Sequence, residues 1–282
     1  MGKHYVPQEY LRGFATPDDP DQIWMFDKVT KRWSRAAIDK VAQQRDYFTP
    51  EVEARLTAEV EGPANVALKK LRSDKAFSDP DRRALAVYMA VMIKRVPGRR
   101  RKAAALIPGA LESTVAELRR EVAEAIPEND PRRTHLFAEI DRAEKNLREK
   151  TPAEVVQQIT DPWISREMLD AIDRMVWRLV PRHGNASQFF TSDNPAYYFE
   201  AYGVGTENSE LTFPISSELA LIGNHQGTPR STIVVRVPKN WLKEINRRVA
   251  SGAERFIFAA NPASWIETLA LQRDPYLSRI VW

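Results

Sequence analysis

The chain has 282 residues, 43% apolar and 28% charged, with a net charge of +4, which is the balance of a folded protein with a sizeable core. It has no cysteine, which excludes disulfides, thiolate nucleophiles and cysteine-ligated zinc or iron–sulfur centres. No run approaches 18 apolar residues, and no basic start leads into an apolar core, so neither a membrane span nor a signal peptide is expected and the expected location is cytoplasmic.

The first stretch, GKHYVPQEYLRGF (residues 2–14), is unusually aromatic for a segment that ordinarily frays. Pro7 opens a short helix over 7–15, with Tyr10, Leu11 and Phe14 on one side. QIWMFDKVTKRWSRAAI (22–38) reads as a β-hairpin turning near Val29–Lys31, and VAQQRDYF (41–48) as a further strand. A helix starts at Pro50 with Glu51 and Glu53 in its first turn, and Gly62-Pro63 is expected to break or kink it. The clearest helix follows SDP (78–80), with Asp79 as N-cap, Pro80 at N1, and Leu85, Met89, Met92, Ile93 and Val96 on one face.

Pro97-Gly98 is expected to end or kink that helix, and two charged helical segments follow, joined by PENDPRR (127–133). Leu111, Val115, Leu118 and Val122 form a narrow stripe on the first; Leu136, Ile140, Ala143 and Leu147 form one on the second. Two such stripes predict an antiparallel helical hairpin, an insertion over 101–150 that projects from a single domain spanning 1–282. Shorter helices are expected near 152–160 and 165–176. Strands then return at 187–193, 211–216, 219–225, 231–237 and 255–260, with helices at 240–250 and 262–272. Strands, helices, then strands again make the fold class α+β: an N-terminal β-hairpin and a C-terminal antiparallel or mixed sheet around a helical middle.

Candidate chemistry is concentrated in three places. His4 is a potential general acid or base with Tyr10 or Tyr5 as partner; equally, it is a structural histidine in a segment docked by its aromatics. FFTSDNPAY (189–197) gathers Thr191, Ser192, Asp193 and Asn194 where a strand stops at Pro195. Those polar groups fit a site at a strand exit, or a turn satisfying its own backbone. KRVPGRRRK (94–102) has six basic residues of nine, among them Arg95, Arg99 and Arg100. Such arginines suit phosphate binding, or form a solvated helix end whose cations complement the dipole. His135, His183 and His225 stand isolated, and the chain lacks H-E-x-x-H, a Walker loop and G-x-G-x-x-G. No metal and no cofactor are therefore expected.

Taken together and in order, HYVPQEYLRGF, IWMFDK, RVPGRR, FTSDNP, FPIS and INRRVASGAERFIFA resemble the bacterial family designated domain of unknown function 4238, from His4 to about Ala260. The matching positions are His4, Val6 and Pro7; Tyr10, Leu11 and Phe14; Arg95, Pro97 and Arg100; Ser192 to Pro195; and Asn246. Val96 stands where the family often has Thr. The resemblance implies no established activity, but it raises His4, Arg95, Arg100, Ser192 and Asp193 as one set.

The expectation drawn from it is a single polar pocket. Arginines 95, 99 and 100, with Asn194, would hold an anion there; His4 would move a proton, oriented by Asp193, with Ser192 and Tyr10 beside it. That suits a metal-independent phosphodiester hydrolase of nuclease type, with a toxin or phage-defence effector as a setting. The alternatives are a non-catalytic module that binds nucleic acid or a protein partner, the latter through the 101–150 hairpin, and an enzyme acting on a small anionic substrate. In a purely structural version, Asp193 pairs with Arg95 and His4 caps a turn.

Overall fold

The computed structural model describes residues 2–45, 47–149, 166–184, 188–273 and 275–280. The helix expected at 152–160 and the start of the strand expected at 187 lie outside them. The chain divides into two compact units, Met1–Val96 with Ile164–Trp282, and Pro97–Trp163. The class is α+β, and among the described residues no helix is long and apolar enough to cross a membrane.

In the first unit, β1 (Gly2–His4) pairs antiparallel with β4 (Gln43–Arg45), His4 opposite Gln43. Between them lie α1 (Gln8–Leu11), a 3₁₀ turn over Arg12–Phe14, and the expected hairpin of β2 (Gln22–Asp27) and β3 (Arg32–Ala37). The β2–β3 turn uses Lys31 at φ 57. A four-stranded sheet then runs β3-β2-β11-β6, with β11 at Phe256–Ala259 and β6 at Thr191–Ser192.

The five-stranded sheet is ordered β10-β5-β9-β8-β7. Its strands are β5 (Val176–Pro181), β7 (Tyr197–Tyr198), β8 (Glu210–Pro214), β9 (Leu219–Asn224) and β10 (Thr232–Val234). Only β10 and β5 run parallel. Strand β5 replaces the C-terminal end of the helix expected over 165–176. That helix, α7 (Arg166–Arg174), stops short, and Val176 begins a strand that is buried almost throughout. A strand covered on both faces shows no alternation to read.

Phe189 and Phe190, neighbours in the chain, enter the separate cores of the two larger sheets. Phe189 packs with Val180, Ala220 and Ile222 of the five-stranded sheet, whereas Phe190 packs with Phe26 and Ile257 of the four-stranded one. Helix α8 (Lys239–Gly252) serves both cores, with Leu242 and Ile245 on one side and Val249 and Ala250 on the other. A short helix α9 (Ser264–Ala270) closes the second core with Ile266 and Leu269.

The helices at Pro50 and Ser78 depart locally from the sequence reading. Helix α2 (Pro50–Arg55) is capped by Thr49 and runs through a π-helical stretch, Leu56–Glu61, into α3 (Gly62–Arg72). The wider turn lets the chain pass Gly62-Pro63 without breaking, because an i→i+5 pattern spares the proline's missing donor. In α4 (Asp79–Arg95) the N-cap is Ser78, not Asp79. Its hydroxyl accepts from the Asp81 amide while the Asp81 carboxylate accepts from the Ser78 amide, a capping box that places Pro80 at N2. Asp81 also takes Lys70 Nζ at 2.7 and 2.8 Å. Burial raises its carboxyl, but those bonds outweigh it and hold the group at about 2.

The second unit contains the hairpin of α5 (Pro97–Ala125) and α6 (Pro131–Glu149), tied by Arg119 to Asp141 at 2.6 Å. Its seam on α6 is rotated from the expected stripe. Phe137, Ile140 and Glu144 are half-buried, while Leu136 and Leu147 are exposed. Arg133, stacked on Phe137, and Glu144, paired with Arg119 and Arg148, cover the seam with their stems.

Candidate active site

Of the N-terminal aromatics, Tyr10 and Phe14 are fully buried. Tyr10 lies 5.1 Å from Phe213 and 5.5 Å from Phe14, ring centre to ring centre. Its hydroxyl donates to the Pro214 carbonyl at 2.8 Å and shares a 2.9 Å hydrogen bond with Thr191 Oγ1. Burial pushes the phenol far above its ordinary range, so it remains protonated. Arg72 fastens the same segment, donating to the carbonyls of Glu9, Tyr10 and Ile215 at 3.0–3.1 Å. Gly13 is required here: a Cβ would stand 2.5 Å from the Arg72 guanidinium and 2.7 Å from the Ile215 carbonyl.

This anchoring gives His4 a fixed place. Arg95, only 3% exposed at the end of α4, donates from Nη2 to the His4 carbonyl at 2.5 Å and from Nη1 to Glu61 Oε1 at 2.7 Å. Its own carbonyl accepts from the Tyr47 hydroxyl, and its guanidinium lies 5.3 Å from the Phe48 ring. Burial lowers the His4 pKa below 6.5, against a hydrogen bond to the Asp39 backbone and the charge of Glu61, which raise it. Nε2 of His4 is buried with no partner, so the Asp39 bond belongs to Nδ1 and the neutral ring presents a lone pair at Nε2.

His4 and Arg95 line one cavity of about 390 Å³, together with Asn65, Arg12, Glu53 and Glu61. Three buried polar atoms of its lining residues lack partners: His4 Nε2, Arg95 Nε and Asn65 Oδ1. The residues that carry them, His4, Arg95 and Asn65, line the same cavity. Its carboxylates are matched by cations: Glu61 by Arg95, Glu53 by Lys3, and Glu9 by Arg12 and Lys69. Unpaired buried polar atoms are uncommon in a folded protein, and here three belong to residues that line one cavity.

The Ser192–Asn194 turn serves a different purpose. Asp193 accepts from the backbone amides of Glu254, Arg255 and Phe256 at 2.8–2.9 Å, closing the entry to β11. Burial raises its carboxyl, against those three bonds, which lower it. Ser192 Oγ bonds the Asn194 backbone, and Asn194 Nδ2 donates to the Gly252 carbonyl at 3.0 Å, tying the turn to the end of α8. Asp193 therefore orients main chain rather than His4, and the partner of Arg95 is Glu61. Neither Ser192, Asp193, Asn194 nor Tyr10 is a lining residue of the His4 cavity. Arg99 and Arg100 belong to the other compact unit, on the first turn of α5.

Sequence reasoning did not single out Glu61 and Asn65. Nothing local marks them; they reach the site because the π-helical stretch and α3 run beside α4. Among the described residues no group of three or more His, Asp or Glu is placed to hold a metal ion.

The family model described as "Protein of unknown function (DUF4238)" matches residues 3–263, and the chain belongs to that family. No curated protein and no solved structure matches it.

Proposed function

We propose that this member of the DUF4238 family is a metal-independent phosphodiester hydrolase acting through the His4 cavity. The observation that carries the reading is that His4 and Arg95 line one cavity and each carries a buried polar group without a partner, Nε2 and Nε. A volume of about 390 Å³ suits one nucleotide-sized group, which favours a small diester or a single strand over a duplex.

In this reading the attacking water or hydroxyl gives its proton to His4 Nε2 as its oxygen bonds to phosphorus. The ester P–O bond then breaks, and the leaving oxygen takes the proton back from the imidazolium. The Arg95 Nε–H meets the charge that develops on the phosphoryl oxygen. Glu61 and the His4 carbonyl hold the guanidinium in place, and the Asp39 backbone fixes the imidazole tautomer. Positioned proton transfer of this kind supplies roughly 10²–10⁴-fold in rate.

The test is hydrolysis of bis(p-nitrophenyl) phosphate and of a labelled single-stranded oligonucleotide in excess chelator. Turnover that falls at least a hundredfold in His4→Gln supports the reading. Absence of turnover on both substrates overturns it in favour of a binding module, for which the exposed Leu118 and Leu136 of the hairpin are the favouring observation.

A further inference from the structure

A second cavity lies between α8 and α9 and shares no lining residue with the first. It encloses about 1030 Å³, with Leu242, Trp265 and Leu269 forming an apolar floor. Lys239, Lys243 and Arg247 line it at i, i+4 and i+8 of α8, so their side chains stand one turn apart along one wall. Arg247 is paired with Glu244 at 2.6 Å, whereas Lys239 and Lys243 have no ion-pair partner among the described residues.

Asn246 sits on the same wall, 4% exposed. Its Nδ2 donates to the Gln188 carbonyl at 3.0 Å, which fixes the amide and leaves Oδ1 as the other end. That oxygen is buried and has no donor. Gln188 is itself held in place, its side-chain amide bonded on both sides to the Asn261 backbone. The fixed Oδ1 is an acceptor awaiting a donor.

We infer that this cleft binds a nucleotide: a flat heterocycle against Trp265 and the leucines, a ring or amino N–H to Asn246 Oδ1, and phosphate on Lys239 and Lys243. The three demands select this class. A hydrocarbon anion would satisfy the floor and the lysines but leave Oδ1 dry and unpaired. Inorganic phosphate would leave the floor uncovered. A nucleotide supplies all three, and a cavity of this size lies at the upper end of the range for such ligands. The inference is independent of the proposed hydrolysis, because it rests on other residues.

The experiment is titration calorimetry of the full chain with AMP, adenosine, inorganic phosphate and dodecanoate. AMP is expected to bind, and at least tenfold more weakly to the Lys239→Ala, Lys243→Ala double variant, whose substitutions are on the surface and leave the core intact. Trp265→Ala is expected to weaken AMP and adenosine alike. No heat with AMP, binding of dodecanoate but not AMP, or AMP binding lost in His4→Gln yet kept in the double lysine variant would each overturn the inference.

Discussion

Arg95 donates to the backbone carbonyl of His4, 91 residues away in the chain, and this bond fixes the N-terminal strand to the last turn of α4. The guanidinium is buried and its charge is met by Glu61 at 2.7 Å. Its removal leaves a carboxylate and a carbonyl without their donor. Arg95→Ala is therefore expected to lower stability by roughly 3 kcal/mol, at the lower edge for a broken buried pair because Glu61 is partly exposed. Urea unfolding measures it, and a loss within 0.5 kcal/mol would show that the pair is not structural.

Asp193 satisfies three consecutive backbone amides. Asp193→Ala orphans all three, at about 1 kcal/mol or more each, so roughly 3 kcal/mol of stability is expected to be lost. Because Asp193 touches main chain and not the His4 cavity, the rate per folded molecule is expected to stay within threefold. Combining thermal unfolding with turnover below the melting temperature separates the two effects.

Tyr10→Phe tests the same distinction in the aromatic cluster. The Pro214 carbonyl loses a 2.8 Å donor in the core, with an expected cost of about 1–2 kcal/mol. If Tyr10 is the anchor of the N-terminal segment, turnover is retained. A thousandfold fall in kcat with unchanged unfolding would instead make it a reagent.

The His4 pKa sets a pH signature. Burial lowers it below 6.5, with the Asp39 backbone and Glu61 opposing and Arg95 assisting. Between the folded pKa and 6.5 the unfolded chain binds a proton that the folded chain refuses, so stability falls as the pH drops through that window. Above about 6.5 both states hold a neutral ring and the dependence vanishes. Wild type is expected to lose stability relative to His4→Gln as the pH drops from 7 toward 5; parallel curves would mean that the ring titrates normally.

Periodicity and punctuation made much of this fold legible in the sequence. The β2–β3 hairpin, the buried face of α4 and helix α8 follow from alternation, from i, i+3, i+4 spacing and from turn residues. Strand β5 was hidden because Val176, Trp177, Leu179 and Val180 are all buried, and an apolar run reads equally as helix. The capping residue of α4 went astray by one, since SDP offers Ser78 and Asp79 side by side and only the reach of Asp81 decides between them. The candidate site was half legible. His4 and Arg95 are in contact, but Glu61 and Asn65 come from a π-helical stretch and the helix after it, a passage that no local pattern announces. The S-D-N-P motif acts on the backbone of β11 and α8, and residue types alone do not distinguish that task from catalysis.

The central claim is that His4 Nε2 is a base facing a phosphodiester in the cavity it shares with Arg95. Its most direct measurement is the pH–rate profile of bis(p-nitrophenyl) phosphate hydrolysis in excess chelator, for wild type and His4→Gln. The account predicts a wild-type rate that rises through an apparent pKa below 6.5, and a His4→Gln rate at least a hundredfold lower that has lost this limb. Equal rates in the two proteins, or the same limb in both, would contradict it.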